Sequence, residues 1–323
     1  MSTDLLRMVR VGKEEFLDFA KSNNSVTIEE VEVPIGTKWS FKSIGPPRDY
    51  VPETTTVWSF PDRGDWATHA GNYRGNWSPY IPRNLVLRYT KPGELVLDQM
   101  VGSGTTAVEC KLLGRNSIGV DINHDALMVA WDRLNFTHRP LDLDYHEGKV
   151  QLFLGDARNL DQIESDSIDL IATHPPYAGI IRYTGTRVPG DLSAFKMKGY
   201  LEGMRQVAVE AYRVLKPGKH CAILIGDTRQ RKHYVPISAR VLQQFLDSGF
   251  ILREDIIKLQ HKMKSTREKW RGSKYDFYLI AHEHLFVFRK PSEGEKLAPF
   301  KHSVSWLHEM DSKSPRKLRS SSN

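Results

Sequence analysis

The sequence predicts an α/β fold, a mostly parallel sheet with helices on both faces, and three observations carry that prediction. Apolar runs of strand length alternate with helical stretches from residue 94 to residue 259, the pattern of helical crossovers between parallel strands. The runs themselves are continuous, as in Leu95-Val96-Leu97 and in VQLFL at Val150–Leu154, which suits strands covered on both faces. Finally, Glu94 to Asn123 (ELVLDQMVGSGTTAVECKLLGRNSIGVDIN) reads strand, glycine turn, helix, strand, acid.

That unit organises the rest. Glu94–Gln99 is a strand, and Gly102-Ser103-Gly104 follows where the chain must turn sharply and bring bare backbone close to a ligand. Thr105–Leu113 is a helix with Ala107, Val108, Leu112 and Leu113 inward, and Gly114 stops it. Ser117–Val120 is the next strand, with Asp121 at its carboxyl end. Backbone N–H groups at a helix start, with a carboxylate about twenty residues on, make a nucleoside site. The turn lacks the Lys-Ser/Thr of a P-loop, having Thr105 and Thr106 there, and Ala107 replaces the third glycine of a dinucleotide turn. By itself the unit reads either as a cofactor site or as a tight structural turn.

Before this unit, Met1–Ser40 is weakly patterned, with a short helix expected at Glu14–Ala20 and a strand over Val26–Val33, followed by a Pro/Gly-rich loop at Phe41–Tyr50. Trp58–Val86 sets Trp58, Trp66, Tyr73, Trp77 and Tyr80 among turn formers. Aromatics on irregular backbone plug a core or line a pocket. Pro82 then opens a helix over Arg83–Tyr89.

After it, His124–Leu134 is a helix and Val150–Leu154 a strand followed by Gly155-Asp156. Ser167–Ala172 is a fourth strand ending in Thr173-His174-Pro175-Pro176-Tyr177. Two prolines there force extended backbone with no N–H to donate, leaving carbonyls and the Tyr177 ring toward the crevice where such sheets bind ligands. Leu201–Leu215 is a long helix stopped by Lys216-Pro217-Gly218, and His220–Ile225 is a fifth strand. Gly226–His233 reads as a charged loop, Val235–Ser248 as a helix, Phe250–Leu259 and Glu283–Arg289 as strands, and Ser312–Asn323 as a disordered tail.

Composition narrows the class. The 323 residues suffice for one large or two smaller domains. No run of eighteen apolar residues occurs, so no membrane span is expected, and Met1–Gly12 lacks a signal-peptide core. Cys110 and Cys221 fall in expected buried elements, as small apolar residues in a reducing compartment. A formal net charge of +7 points mildly to a polyanionic partner. His261, His282 and His284 lack ligand spacing, so no metal is assigned.

The turn VGSGTT, an acid after the next strand, and a PPY after the fourth strand together resemble the exocyclic-amino DNA methyltransferases, over roughly Thr55 to Lys290. The resemblance implies a Rossmann-like class I methyltransferase fold, S-adenosyl-L-methionine as methyl donor, and double-stranded DNA as partner. It also implies a cytoplasmic location and the possibility of a cognate restriction endonuclease. The glycine turn precedes PPY by about seventy residues, as in the subgroup whose cofactor, catalytic and recognition regions follow in that order.

By position the resemblance implies that Asp98, Gly102, Ser103, Gly104, Thr105 and Thr106 surround the methionine part of the cofactor. Asp121 with Ile122 would bind the ribose, and Asp156 with Ala157 the adenine. Trp77, Tyr80 and Pro82 lie in what resembles the cofactor motif before the glycine turn. Thr173, His174, Pro175, Pro176 and Tyr177 would be the catalytic motif, in which the flipped base donates its amino hydrogens and stacks on Tyr177. The family has Ser, Asp or Asn where this chain has His174; a neutral imidazole can accept through one nitrogen and a protonated one cannot. Thr173 matches the TSPPY form of N4-cytosine enzymes, which makes N4 of cytosine the expected target. N6 of adenine is the alternative, and a catalytically inactive DNA binder a second.

Arg182 in the loop after PPY and the run Lys258–Lys274, with Lys262, Lys264, Arg267, Lys269, Arg271 and Lys274, are the expected DNA contacts. The expected organisation is an N-terminal extension over 1–53 and a catalytic unit over 54–292. That unit would carry recognition segments at about 178–200 and 226–275, with a tail over 293–323.

Overall fold

The computed structural model describes residues 5–28, 30–36, 38–73, 75–137, 147–177, 190–271 and 275–305, with the backbone alone at 264–266 and 269. The chain begins with β1 (Val9–Val11), α1 (Lys13–Ser22), β2 (Ser25–Ile28) and β3 (Val31–Pro34). Next come β4 (Val57–Trp58), α2 (Tyr80–Tyr89), β5 (Leu95–Asp98), α3 (Thr105–Leu112), β6 (Asn116–Asp121), α4 (His124–Leu134) and β7 (Val150–Leu154). The second half holds β8 (Ile168–Thr173), α5 (Met197–Val214), β9 (Leu215–Ile225), β10 (Thr228–Gln230), β11 (His233–Val235), α6 (Ile237–Asp247), β12 (Ile251–Leu259), α7 (Lys264–Arg271) and β13 (His282–Arg289).

Nine strands form one sheet in the order β1-β7-β6-β5-β8-β9-β13-β12-β4. The five from β7 to β9 run parallel, whereas β13 is antiparallel to both of its neighbours. This is the α/β fold expected from the sequence. From β5 the chain winds outward through β6 to β7, then returns to the other side of β5 as β8. Neighbouring strands there send their connections to opposite sides, which opens a crevice at their carboxyl ends.

The strands bury both faces by strict alternation. Leu97, Ile171, Cys221, Ile223 and Phe286 pack with Tyr200, Met204 and Val207 of α5 and Val241 and Phe245 of α6. Their neighbours Val96, Leu170, Ala172, Ala222 and Leu285 pack with Ile81, Leu85 and Val86 of α2 and Cys110 of α3. Both cysteines are free and buried. No described helix is long and apolar enough to cross a membrane.

Four local expectations are corrected. The alternating stretch Val26–Val33 is a hairpin of β2 and β3, with Glu30 at φ 63° in the reversal. Lys216-Pro217-Gly218 lies inside β9, because α5 passes into the strand without a loop and Gly218 takes a positive φ of 79°. The expected charged loop at 226–233 contains the β10 strand and the reversal into β11, with Arg231 and Lys232 at positive φ. Val9–Val11, unassigned from sequence, is an edge strand antiparallel to β7. Beyond it, Phe16, Val26, Val33 and Ile35 share a core with Val108 of α3 and Leu127 of α4.

Candidate active site

The crevice at the switch between β5 and β8 holds a cleft of about 760 Å³. Its floor is the glycine turn. Gly102, at φ 49°, donates its N–H to Asp121 Oδ2 at 2.8 Å, and Asn123 N donates to the other oxygen at 2.9 Å. Gly104, at φ 82°, starts α3, and a side chain there would come within 3.0 Å of the Ala130 Cβ on α4. Left-handed backbone and close helix packing together require glycine.

Three carboxylates stand at successive strand ends. Asp98 ends β5, is nearly fully buried, and accepts from the Thr106 hydroxyl at 2.6 Å. Burial pushes its pKa up to about 6, against the lowering effect of that bond. Asp121 ends β6, and burial likewise pushes it up to about 6 despite its two backbone donors. Asp156 follows β7 and is gripped by Arg158, Nε to Oδ1 at 2.9 Å and Nη2 to Oδ2 at 2.6 Å. Asp191 adds a fourth carboxylate to the lining. The Thr105 hydroxyl and the Gln99 amide oxygen, on residues lining this cleft, are buried and have no hydrogen-bond partner among the described residues.

A second cavity of about 1060 Å³ adjoins the first, and Gly75, Asn76, Trp77 and His174 line both. Tyr177, Lys258 and Glu283 belong to the second alone. The Tyr177 hydroxyl donates to Glu283 Oε1 at 2.6 Å and lies 2.9 Å from His174 Nε2. Lys258 Nζ donates to Glu283 Oε2 at 2.8 Å. Burial drives the His174 pKa down to about 4, so the imidazole is neutral. Burial alone would raise the Glu283 carboxyl and is the largest single influence on it, but the Lys258 ammonium, His174 and the bonds from Lys258 and Tyr177 together hold it below the usual range.

Of the residues singled out from sequence, Trp77, Asp98, Gly102, Ser103, Thr105, Asp121, Ile122, Asp156, Ala157, His174 and Pro176 all line the first cleft. Gly104 and Thr106 lie just behind it. Thr173 and Pro175 are buried at the end of β8. Tyr80 and Pro82 do not line either cavity: Tyr80 stacks on Phe60 at 5.0 Å and meets Trp66 edge-on at 4.8 Å, and Pro82 is buried in α2. The aromatic segment therefore does both things its composition allowed. Tyr73 and Trp77 line the cleft, while Trp58 and Trp66 pack against α2, which Tyr80 begins. It is pinned to α3 by the buried Glu109, which accepts from Trp66 Nε1 and bonds His69 Nε2, each at 2.7 Å, and from Arg83 at 2.8 Å.

Lys262, Arg267 and Arg271 surround a further cavity of about 720 Å³, which shares Gln260, His261, Lys262 and Met263 with the second one. Lys264 and Lys269 lie on α7; Arg182 and Lys274 lie outside the described residues. Sequence reasoning missed Asn76, Gln99, Asp191 and Glu283 as site residues, and Lys258, expected only within the DNA-contact run, instead lines the second cavity bonded to Glu283. Glu283 had one signal, a carboxylate between two histidines at the start of the strand HEHLFVF.

A profile of the N6/N4 DNA methylases, described as DNA methylase, matches residues 7–131 and 168–321. The chain belongs to this family. The curated relatives it matches include the type II methyltransferases M2.LlaDCHI of Lactococcus lactis subsp. cremoris and M2.DpnII of Streptococcus pneumoniae. The first is 42% identical over 66 residues, 20% of this chain and 24% of that one. The second is 42% identical over 65 residues, again 20% and 24%. The matched part thus spans about a quarter of the length of each. Among solved structures, a methyltransferase from Pyrococcus furiosus is 14% identical over 66% of this chain and 83% of that one, with a TM-score of 0.41.

Proposed function

We propose that this DNA methylase family member transfers a methyl group from S-adenosyl-L-methionine to N4 of a cytosine flipped out of double-stranded DNA. The observation that carries the reading is the pair of adjoining cavities divided by Trp77 and His174, one ringed by carboxylates and the other lined by Tyr177, Lys258 and Glu283. The donor set suits the cofactor. Asp121 would hold a ribose diol and Asp98 the cationic methionine end, and the unpartnered Thr105 and Gln99 oxygens would meet polar groups of a ligand. When bound, S-adenosyl-L-methionine supplies an electrophilic methyl on a sulfonium.

The chain's own groups then orient the acceptor. An exocyclic amine is a poor nucleophile because its lone pair is delocalised into the ring. Accepting its two hydrogens at His174 and at the Pro175 carbonyl would make the nitrogen more tetrahedral and aim it at the first cleft. Tyr177 would stack on the flipped base, a contribution of roughly 1–3 kcal/mol. The nitrogen turns strongly acidic as the N–C bond forms and releases its proton to water, so positioning is most of the catalysis. Lys262, Arg267 and Arg271, around the neighbouring cavity, would contact the phosphates. Thr173 before the motif supports cytosine over adenine.

The test is transfer of labelled methyl to mixed-sequence duplex DNA, followed by nucleoside mass analysis. N4-methylcytosine is the expected product. N6-methyladenine would replace the base assignment and leave the reaction class standing. No transfer with intact cofactor binding would overturn the proposal.

A further inference from the structure

The groups behind His174 give a task to a residue far from the PPY motif. The Tyr177 hydroxyl has one proton, and it donates that proton to Glu283 Oε1 at 2.6 Å. His174 Nε2 lies 2.9 Å from the same hydroxyl oxygen. With the hydroxyl proton committed to Glu283, that contact is a hydrogen bond only when Nε2 carries the hydrogen. The ring is neutral, so its other nitrogen, Nδ1, then carries a lone pair. Nδ1 is buried and meets no partner in hydrogen-bonding geometry among the described residues, the Gly75 backbone near the ring being the least of the influences on it, and His174 lines both cavities.

Lys258 fixes the direction of this chain of bonds. Its ammonium donates to Glu283 Oε2 at 2.8 Å and has no acceptor to offer, so Glu283 faces Tyr177 as a carboxylate acceptor. Glu283 and Lys258 stand on β13 and β12, paired across the antiparallel ladder. Neither belongs to the glycine-turn or PPY segment.

We infer that Glu283, held by Lys258, is a positioning residue that acts through the Tyr177 hydroxyl to fix His174 as the tautomer presenting Nδ1 as acceptor to the target amine. The inference rests on the methyl-transfer reading above. It explains how a histidine can stand where the family has Ser, Asp or Asn. The opposite tautomer would set an N–H against an N–H of the base, and nothing in the imidazole itself excludes it.

The experiment uses Glu283→Gln in the full chain. Lys258 holds the amide oxygen, so the amide NH2 faces Tyr177. The hydroxyl proton must then turn toward His174 Nε2, and the ring hydrogen moves to Nδ1. Nitrogen NMR of histidine-labelled protein should report the Nε2–H form in the wild type and in Glu283→Asp, and the Nδ1–H form in Glu283→Gln. Turnover of Glu283→Gln should fall by about tenfold or more, the scale of one lost hydrogen bond at the reacting group, with cofactor affinity unchanged and Glu283→Asp recovering most of the loss.

On a His174→Asn background, whose amide has no ring tautomer to set, Glu283→Gln should cost less than about twofold. An equal loss on both backgrounds, or a tautomer that does not move, overturns the inference. If the wild type methylates no DNA, the methyl-transfer reading fails by itself, and the NMR arm still decides whether Glu283 governs the tautomer.

Discussion

The Trp77 indole lies over the His174 imidazole, with 5.9 Å between ring centroids and 23° between planes. Both residues line both cavities, so this pair of rings is a shared wall between the carboxylate-ringed cleft and the space beside Tyr177. Trp77 comes from the irregular segment before α2 and His174 from the end of β8. A change at the first ring should therefore be felt on both sides. Trp77→Phe, which keeps an aromatic plane but loses area over the imidazole, should weaken cofactor binding severalfold by calorimetry and lower turnover as well. An effect on only one of the two would mean the rings do not act as one partition.

Asp121 and Tyr177 should separate binding from chemistry. Asp121 meets the backbone of the glycine turn, whereas Tyr177 lines only the second cavity. Asp121→Ala should raise the cofactor dissociation constant first, by about tenfold or more. Tyr177→Ala should leave that constant nearly unchanged and reduce methyl transfer by a larger factor. Equal loss of cofactor binding in both variants would refute the role assignments.

Asp98 should cost the ligand-free protein stability at neutral pH. Its folded pKa, about 6, lies above the ordinary 3.8. Between those values the folded chain holds a proton that the unfolded chain has released, so stability falls as pH rises through that window and the cost is complete above it. A shift of about two units corresponds to about 3 kcal/mol. Asp98→Asn should therefore raise the ligand-free unfolding midpoint at pH 7 by several degrees, with the gain vanishing near pH 4. It should also weaken cofactor binding. Melting curves at the two pH values check the sign, and a lower midpoint at pH 7 would contradict it.

The basic rim should act through phosphates. Lys262 and Arg271 line the cavity beside the second one, as does Arg267. Replacing all three by Ala should reduce the salt dependence of DNA affinity by about 2 to 3 in the log–log slope. Binding should weaken similarly on every DNA sequence, with turnover at saturating DNA nearly unchanged. A loss confined to one sequence would make these residues base readers instead.

The part of the site legible in sequence is the part built by local chemistry. The β5–turn–α3–β6 unit follows from a continuous apolar run, glycines at positive φ and an acid at the strand end, all within Glu94–Asn123. PPY is legible for the same reason, since two prolines dictate the backbone they occupy. Elsewhere the local signals are weak or ambiguous. The β2–β3 reversal at Glu30 carries neither glycine nor proline. Lys216-Pro217-Gly218 reads as a stop, yet it is accommodated within β9.

The fold class, the glycine turn and the residues at the β5, β6 and β8 strand ends are written in short stretches of chain, because hydrophobic period and turn preference act over a few neighbouring residues. Long-range packing alone brings Glu283, 106 residues after Tyr177, to accept its hydroxyl proton. It also decided that Val9–Val11 pairs with Leu152–Leu154 and that Trp77 rather than Tyr80 faces the cleft. Those outcomes depend on which strands become neighbours. A polar side chain buried by that choice must find its partner wherever the sheet order places one, since leaving it unpaired costs about 1–3 kcal/mol.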